Sequence, residues 1–327
     1  MWVLTAIGAL LLILTGVGLW RQHVYDTDGF TVLMLVQGAC YLAAVALTWR
    51  AGLSRRALVA VLAVAALMRL VVLLAPPYLS DDINRYVWDG RVEAAGLNPY
   101  RYVPADPQLA SLRDETIFPN INRSDYAPTI YPPVAEYIFF LGTRLGESLT
   151  AMKATLLVFE LAGVLLLLRL LQDSGLPRAR ILIYAWHPLT LWEFAGSGHV
   201  DAAIVTFVAL AAAALLLLAV HSLFTTEGRY LASAMTLAVA AMVLLSPHYP
   251  WYFAWLVPFI CFIPRPSVLY LTVACPLLYF VPGGPDPAGA RLPFEWAIYG
   301  PFAALVAFEL WRRRVARTDI GCIKGVG

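Results

Sequence analysis

Apolar runs of close to twenty residues recur along this chain of 327 residues and constrain its fold more than any other feature. A helix needs about twenty apolar residues to cross the hydrocarbon core of a bilayer. Hydrophobic residues make up 61% of the sequence and charged residues only 13%, whereas a soluble domain has about 25% charged residues. The runs are too long and too uniformly apolar for the strands of a membrane barrel. The sequence therefore predicts an all-α polytopic membrane protein.

Ten membrane crossings are predicted, and together they make residues 1–327 a single integral membrane domain. The predicted spans are 2–20, 30–49, 57–75, 150–171, 180–196, 200–222, 229–246, 251–263, 267–281 and 294–311. The first span has neither a basic start nor a small-residue cleavage pattern, so we expect it to be uncleaved. The apolar stretch 131–146 is interpreted as an interfacial or re-entrant helix, because an eleventh crossing would reverse the side of Arg178 and Arg180.

The positions of lysine and arginine predict which side of the membrane each loop occupies. With ten spans, most basic residues of the short loops and the carboxyl-terminal tail fall on one side, and the positive-inside rule makes that side cytoplasmic. Both termini are then cytoplasmic, and the long loop 76–149 faces the outside. We therefore predict a protein of the cytoplasmic (inner) membrane whose working site lies on the extracytoplasmic side.

Three polar motifs interrupt the apolar chain: SDDINRYVWDGR (80–91), GSGHVD (196–201) and SPHYPWY (246–252). The predicted topology places all three at the outer face. Within the long loop, apolar residues at helical spacing predict an interfacial helix over 81–95, lying along the membrane surface and capped by Ser80. A chain that gathers acids, histidines and aromatic residues at one face is expected to carry a site there.

The acids Asp81 and Asp82 come where a span meets the outer interface. One interpretation is a solvated helix start, because acids are favoured at the positive end of the helix dipole. The other is a general base, or a base with a second acid that orients it, because a carboxylate at the mouth of a cavity can take a proton from an attacking hydroxyl. Both interpretations remain open on these residues alone.

Two histidines and a run of aromatic residues occupy the other two motifs. His199 and Asp201 follow a pair of glycines, which indicates that the backbone must approach another segment closely. His248 lies in a Pro-His-Tyr-Pro turn, beside Tyr249 and Trp251. Structural histidines with an interfacial aromatic belt are the simpler explanation of these residues, and a surface that stacks on a sugar ring or lipid headgroup is the alternative.

Arg69 lies well inside the third span, where an unpaired charge costs at least about 3 kcal/mol. Glu160 in span four is the obvious protein partner, and a lipid phosphate is the alternative. Lys153 lies nearer the outer end of span four, and His187 and Glu193 in span five are interpreted as structural. No metal-ligand spacing, phosphate loop or basic nucleic-acid patch is present in the sequence. We predict no cofactor and no nucleic-acid partner, and a divalent-metal requirement stays open.

The motifs, taken in order, resemble the GT-C superfamily of membrane glycosyltransferases. An acidic pair heads the first large outer loop, RYVWDGRVEAAGLNPY and YPPVAEY follow, and GHVD and SPHYPWYFAWLVP come later in the chain. The resemblance is closest to the polyprenol-phosphate-mannose-dependent enzymes of glycosyltransferase family 87. It implies a GT-C-like fold and an inverting transfer of a hexose, mannose above all, from a polyprenyl-phosphate donor to a hydroxyl of a lipid or glycan acceptor.

The resemblance also implies roles for particular residues. The base maps onto Asp82 or Asp81, with Asp82 preferred, and the donor phosphate maps onto His248, with Arg69 as a second candidate. The predicted substrate-binding residues are Arg85, Asp89, His199, Asp201, Tyr249 and Trp251.

One departure from the family pattern keeps other functions open. Only two predicted helices join the second and third polar motifs, fewer than in the members compared, and the Lys-Pro element often found there is missing. A polytopic transporter or lipid flippase is the first alternative, although such proteins usually place polar residues near the midplane and show related halves. A shortened, non-catalytic GT-C-like protein is the second.

Overall fold

The computed structural model describes residues 2–51, 53–206, 235, 238, 239, 250–279 and 292–323. These residues are helical or lie in turns and loops, and none of them is in a strand. The helices are α1 (Trp2–His23), α2 (Thr27–Ala51), α3 (Arg55–Leu73), α4 (Asp82–Ala94), α5 (Pro133–Leu145), α6 (Leu149–Asp173), α7 (Ile181–Ala185), α8 (Pro250–Phe262), α9 (Pro266–Tyr279) and α10 (Leu292–Ile323). A π-helix, Thr190–Gly196, follows α7.

Four of these helices are long and apolar enough to cross a membrane: α1, α2, α3 and α6. Their bounds agree closely with the predicted spans 2–20, 30–49, 57–75 and 150–171. The predicted spans 200–222 and 229–246 fall largely outside the described residues, so the total of ten crossings stays a prediction. The all-helical membrane architecture is confirmed at this coarser level.

The long helices are arranged with apolar surface outside and polar groups inside. Ile13, Val36, Leu67 and Leu165 are among the large apolar side chains that α1, α2, α3 and α6 expose. In contrast, polar side chains of the same helices are buried: Thr15, Gln37, Arg69, Lys153 and Glu160. This arrangement suits a lipid surround, since hydrocarbon offers no partner to a polar group and the protein interior must supply one.

Helix α4 forms where the sequence predicts it but is more enclosed than an interfacial helix. Its N-cap residue is Asp81, and the predicted cap Ser80 instead accepts a hydrogen bond from the Asp82 amide at 3.2 Å. All of Ile83–Val92 is buried. The reason is that α5 packs tightly on it, so closely that a Cβ at Gly90 would lie 2.4 Å from the Phe139 carbonyl oxygen. Over these residues α4 is therefore covered by protein on all of its faces, which the sequence pattern did not predict.

The predicted span 180–196 is broken rather than continuous. Arg178–Arg180 is a 3-10 turn, α7 follows, and the chain resumes as the π-helix after Pro188. Proline disfavours helical geometry in the residue before it and removes a backbone donor, which explains the interruption at His187. The π-helix packs against α3 and α6, ends at Gly196, and delivers the chain to the second polar motif. Single π-turns of this kind occur frequently at functional sites.

Candidate functional site

The carboxylates of Asp81 and Asp82 converge on one side chain of the long loop, Asn122. The Nδ2 atom of Asn122 donates to Oδ1 of Asp81 and to Oδ1 of Asp82, each at 2.9 Å. Asp81 is exposed and Asp82 is half-buried, so both remain accessible from the outside of the protein. Arg123, the next residue, has a positive φ of 55°, a conformation that is costly for a side chain of this kind and is found where surroundings impose it. The loop is therefore held so that one amide orients two acids.

Two tyrosines lie near Asp82: Tyr86 of the first polar motif and Tyr131 of the long loop. Tyr86 stacks on Phe139 with ring centroids 4.4 Å apart, and Tyr131 meets Tyr86 edge-on at 5.0 Å. Burial raises the pKa of Tyr131, and the charge of Asp82 raises it further. The carboxylate of Asp82 therefore lies close enough to this aromatic floor to act on it electrostatically.

The second polar motif reaches α4 through Gly198. Gly198 has a φ of +73°, and a Cβ there would lie 2.5 Å from Cδ1 of Ile83 and 2.9 Å from Cγ of Lys153. The prediction that a glycine beside His199 permits a close backbone approach is confirmed. This contact brings the motif against the first turn of the helix that carries Asp82.

His199 is buried between a carboxylate and an aromatic ring. Its Nε2 lies 3.4 Å from Oε2 of Glu193, and its ring stacks on Trp251 with centroids 4.6 Å apart. Burial alone would lower the pKa of His199, but the carboxylates of Glu193, Asp201 and Asp82 outweigh it and raise the pKa. His199 is therefore biased towards the imidazolium form, which can bind an anion or donate a proton.

The remaining residues of these motifs surround His199 or lie outside the described chain. Trp255 donates through Nε1 to Oδ1 of Asp201 at 2.6 Å, so Asp201 is joined to α8. Trp251, on the same helix, is only partly buried. His248 and Tyr249, predicted to bind the donor phosphate and the substrate, lie outside the described residues, and their roles stay predictions.

Arg85 and Asp89 form a buried ion pair with each other, one turn apart on α4. Nε of Arg85 lies 2.8 and 3.0 Å from the two carboxylate oxygens of Asp89, and Nη1 donates to the Ala127 carbonyl. Glu136 joins the cluster and accepts a 2.6 Å hydrogen bond from Thr129. Burial raises the pKa values of both Asp89 and Glu136, and the charge of Asp89 raises the pKa of Glu136 further through repulsion.

This cluster fastens α4 to α5 and to the loop between them. Arg85 and Asp89 were predicted to contact substrate, and that role stays a prediction. In the structure both side chains are directed to protein partners, and their side-chain exposures of 6% and 1% leave little surface for a ligand.

Arg69 is satisfied entirely by protein groups. Its Nε and Nη2 atoms contact the carboxylate of Glu160, with a shortest distance of 2.7 Å. The remaining N–H groups of Nη1 and Nη2 donate to the carbonyls of Ala65 and Ala185 and to the hydroxyl oxygen of Thr190. A guanidinium has five N–H donors, and the described partners account for all of them. The predicted pairing with Glu160 is confirmed, and phosphate binding by Arg69 would require this pair to open.

Lys153 is a second buried cation, and it lies beside the Gly198 turn. Its Nζ donates to the carbonyls of Val72 and Ala75, at 2.7 and 2.9 Å, and so closes the carboxyl end of α3. An ammonium group has three donors, and these carbonyls use two. The described partners of Lys153 thus use two of its three donors, whereas those of Arg69 use all five.

Two residues of this site escaped the sequence reasoning. Asn122 lies in an irregular loop some forty residues from the acids, and no spacing rule connects them. Glu193 was interpreted as structural because its position was judged on regular α-helical spacing, whereas the π-helix turns it towards His199 and Tyr279. A carboxylate in an apolar segment was the available signal. No group of three or more metal-ligating side chains occurs within the parts of the chain that the structure describes.

Comparison with known proteins places this chain in a family. The model of the MptA_B family, described as alpha-(1->6)-mannopyranosyltransferase, N-terminal domain, matches residues 5–258. No curated protein and no solved structure matches the chain. The match spans all three polar motifs and agrees with the resemblance that they suggested. The chain belongs to the alpha-(1->6)-mannopyranosyltransferase family and is a glycosyltransferase.

Proposed function

We propose that this protein transfers a hexose, mannose, from a polyprenyl-phosphate donor to a hydroxyl acceptor at the outer face of the cytoplasmic membrane. Asp82 is the general base, and the configuration at the anomeric carbon inverts. The observation that carries the proposal is the accessible pair Asp81–Asp82, oriented by Asn122, with the charge of Asp82 acting on His199. An acid that is oriented but not neutralised by a cation is suited to accept a proton.

The reaction is a single displacement. The acceptor hydroxyl gives its proton to the Asp82 carboxylate while its oxygen forms a bond to C1 of the sugar. The bond between C1 and the donor phosphate oxygen breaks, and the polyprenyl phosphate departs with the electron pair. Because the oxygen enters on the face opposite the leaving phosphate, the sugar is inverted.

The leaving phosphate gains negative charge, which a preorganised cation or hydrogen-bond donor stabilises in a site of low dielectric constant. His199 serves this role in the proposal, because its neighbouring carboxylates favour the imidazolium. Lys153 and His248 are the other candidates. Arg69 is left out, since Glu160 occupies its guanidinium.

Asp82 is preferred to Asp81 because of where each carboxylate is directed. Asp82 is half-buried and its charge acts on Tyr131 and His199, so it faces the side on which the donor is expected. Asp81 is exposed and faces the outer loop. Asp81 then acts as the second acid, which shares Asn122 and helps to keep Asp82 in place.

The test is transfer activity of purified protein in lipid nanodiscs, with a panel of polyprenyl-phosphate sugars as donors and α-(1→6)-linked mannotriose as acceptor. We expect Asp82→Asn to lower turnover by about 10²–10⁴-fold, the usual contribution of a general base. Asp81→Asn is the matched control and should lose much less. Thermal unfolding of both variants should match that of the wild type, since Asp81 is exposed and Asp82 is only half-buried.

Retention of activity in both single variants would remove the base from this pair of acids. Nuclear magnetic resonance of the product identifies the new linkage, and a retained configuration would exclude the single displacement. Sugar-lipid transport into liposomes, without any covalent product, would instead support the transporter alternative.

A further inference from the structure

A cavity of about 720 Å³ opens beside the carboxylate pair, on the extramembrane part of the chain. It is formed by the segment that joins α3 to α4, by residues of the long loop between Thr116 and Asn122, and by Leu149 at the start of α6. His199, Asp201 and Trp251 do not line it. The cavity is therefore distinct from the place where the histidine and the aromatic residues meet.

The walls of the cavity carry uncharged hydrogen-bonding groups. The hydroxyl and amide side chains that line it are Ser80, Asn84, Thr116, Asn120 and Asn122. Hydroxyl and amide groups both donate and accept hydrogen bonds, which matches the hydroxyls of a sugar. Tyr78 and several prolines add flat apolar surface of the kind on which a sugar ring can lie. The volume falls within the range of about 300–1,000 Å³ that is usual for ligand pockets.

The charge of the cavity wall favours one of the two substrates of the proposed reaction over the other. Among the described residues that line it, Asp81 is the one that is charged, and none is a lysine, arginine or histidine. A donor phosphate placed there would face a carboxylate without a compensating cation, which is unfavourable. A neutral glycan meets no such penalty. The cavity is therefore suited to the acceptor and unsuited to the donor.

The geometry points to this cavity as the acceptor subsite, which binds the neutral end of a glycan chain and delivers its hydroxyl to the acids. This inference rests on the proposed function. Asp81 and Asn122 belong both to the cavity wall and to the hydrogen-bonded group that orients Asp82. A hydroxyl that reaches Asn122 from the cavity is thus next to the base. Donor and acceptor then approach from different places, as an inverting displacement requires.

The experiment measures binding of α-(1→6)-linked mannotriose to the full protein in nanodiscs without donor, by titration calorimetry. The test variant combines Thr116→Val and Asn120→Leu, which remove two polar groups from exposed positions of the cavity wall. The matched control is Thr150→Val, an exposed threonine that does not line the cavity. We expect at least a tenfold weaker Kd in the double variant, no change in the control, and weaker binding of mannose 6-phosphate than of mannose.

A second measurement does not depend on variants: bound mannotriose should protect the amides of residues 116–122 from hydrogen exchange. In turnover assays the double variant should raise KM for acceptor and leave KM for donor unchanged.

Equal Kd values in wild type and double variant, or protection confined to other segments, would overturn the inference. If mannotriose binds as expected but no donor sugar is transferred, the proposed function fails while the cavity remains a glycan site. If transfer occurs and only the donor KM changes, the cavity inference fails alone.

Discussion

The protein treats two groups of charges in opposite ways. The buried pair, Arg69 and Glu160, lies among membrane-length helices, and all five guanidinium donors of Arg69 have protein partners. The accessible pair, Asp81 and Asp82, has one side-chain donor among the described residues, the amide of Asn122 that both carboxylates share. A charge removed from water must be compensated by protein partners. When every hydrogen-bonding group of the side chain has such a partner, none is left to bind a ligand. A charge at the mouth of a cavity is solvated and keeps its capacity to react.

The comparison shows why a buried charge in an apolar span is not by itself a functional residue. Arg69 attracted attention as a phosphate ligand because charge within a membrane span is expensive. The structure meets that expense with Glu160, and Tyr184 adds a hydrogen bond to the same carboxylate at 3.1 Å. The chemistry is expected instead where compensation is incomplete, at the start of α4.

The sharpest way to break this comparison is to remove one member of the buried pair. Arg69→Met leaves Glu160 without its cation and should cost about 3–5 kcal/mol of stability, because an uncompensated charge stays buried. The double variant Arg69→Met with Glu160→Met should recover much of that loss. Thermal unfolding in detergent of the wild type, Arg69→Met, Glu160→Met and the double variant completes this double-mutant cycle. A stable Arg69→Met protein that fails only in donor binding would make Arg69 a phosphate ligand after all.

A second test addresses the contact that brings the two polar motifs together. Gly198→Ala places a Cβ 2.5 Å from Ile83 in a left-handed backbone, and should cost about 2–4 kcal/mol. Gly175→Ala is the control, because Gly175 has a φ of +66° and a Cβ added there would meet no atom within 4 Å, so it reports the backbone cost alone. Ile83→Val in the Gly198→Ala protein should restore part of the loss. Equal unfolding temperatures for the two alanine variants would remove the close packing from the explanation.

The role of Asp81 and Asp82 is tested by changing Asn122, the residue that orients both carboxylates. Asn122→Ala removes the shared donor and should lower kcat about tenfold, which corresponds to about 1.4 kcal/mol. Asn122→Asp adds a third carboxylate beside the base and should move the acidic limb of the pH–activity profile to higher pH, since like charges oppose deprotonation. A purely structural role for Asn122 would lower stability and leave the profile in place. In an Asp82→Asn background, Asn122→Ala should have little further effect.

The smallest expected effect concerns the carboxylate of Glu136. Burial raises the pKa of Glu136, so the folded protein keeps a proton that the unfolded chain releases near pH 4.5. Stability should therefore fall as pH rises from that value towards the raised pKa, because the folded state binds more protons. Glu136→Gln should flatten this dependence by about 1 kcal/mol, measured as unfolding between pH 5 and 9. The exposed Glu115→Gln is the control, and an unchanged slope in Glu136→Gln would contradict the prediction.

Much of the fold could be predicted because its causes are local. The length of an apolar run fixes whether a helix can cross the membrane, and α1, α2, α3 and α6 follow the predicted spans. The turn that ends α4 was also predictable, since Gly96 adopts a φ of +76° and Leu97 donates back to the Val92 carbonyl. The enclosure of α4 was not predictable, because its charged face is covered by α5, which comes some forty residues later.

The sequence by itself determined the membrane class, the main helices, the order of the polar motifs and the likeness to mannosyltransferases. Only the tertiary structure decided that Asn122 bridges Asp81 and Asp82, that a π-turn directs Glu193 to His199, and that Glu160 neutralises Arg69. Helical periodicity and apolar length act over neighbouring residues, so a sequence displays them directly. Partners of a buried or catalytic side chain come from distant segments, and packing of the whole chain selects them.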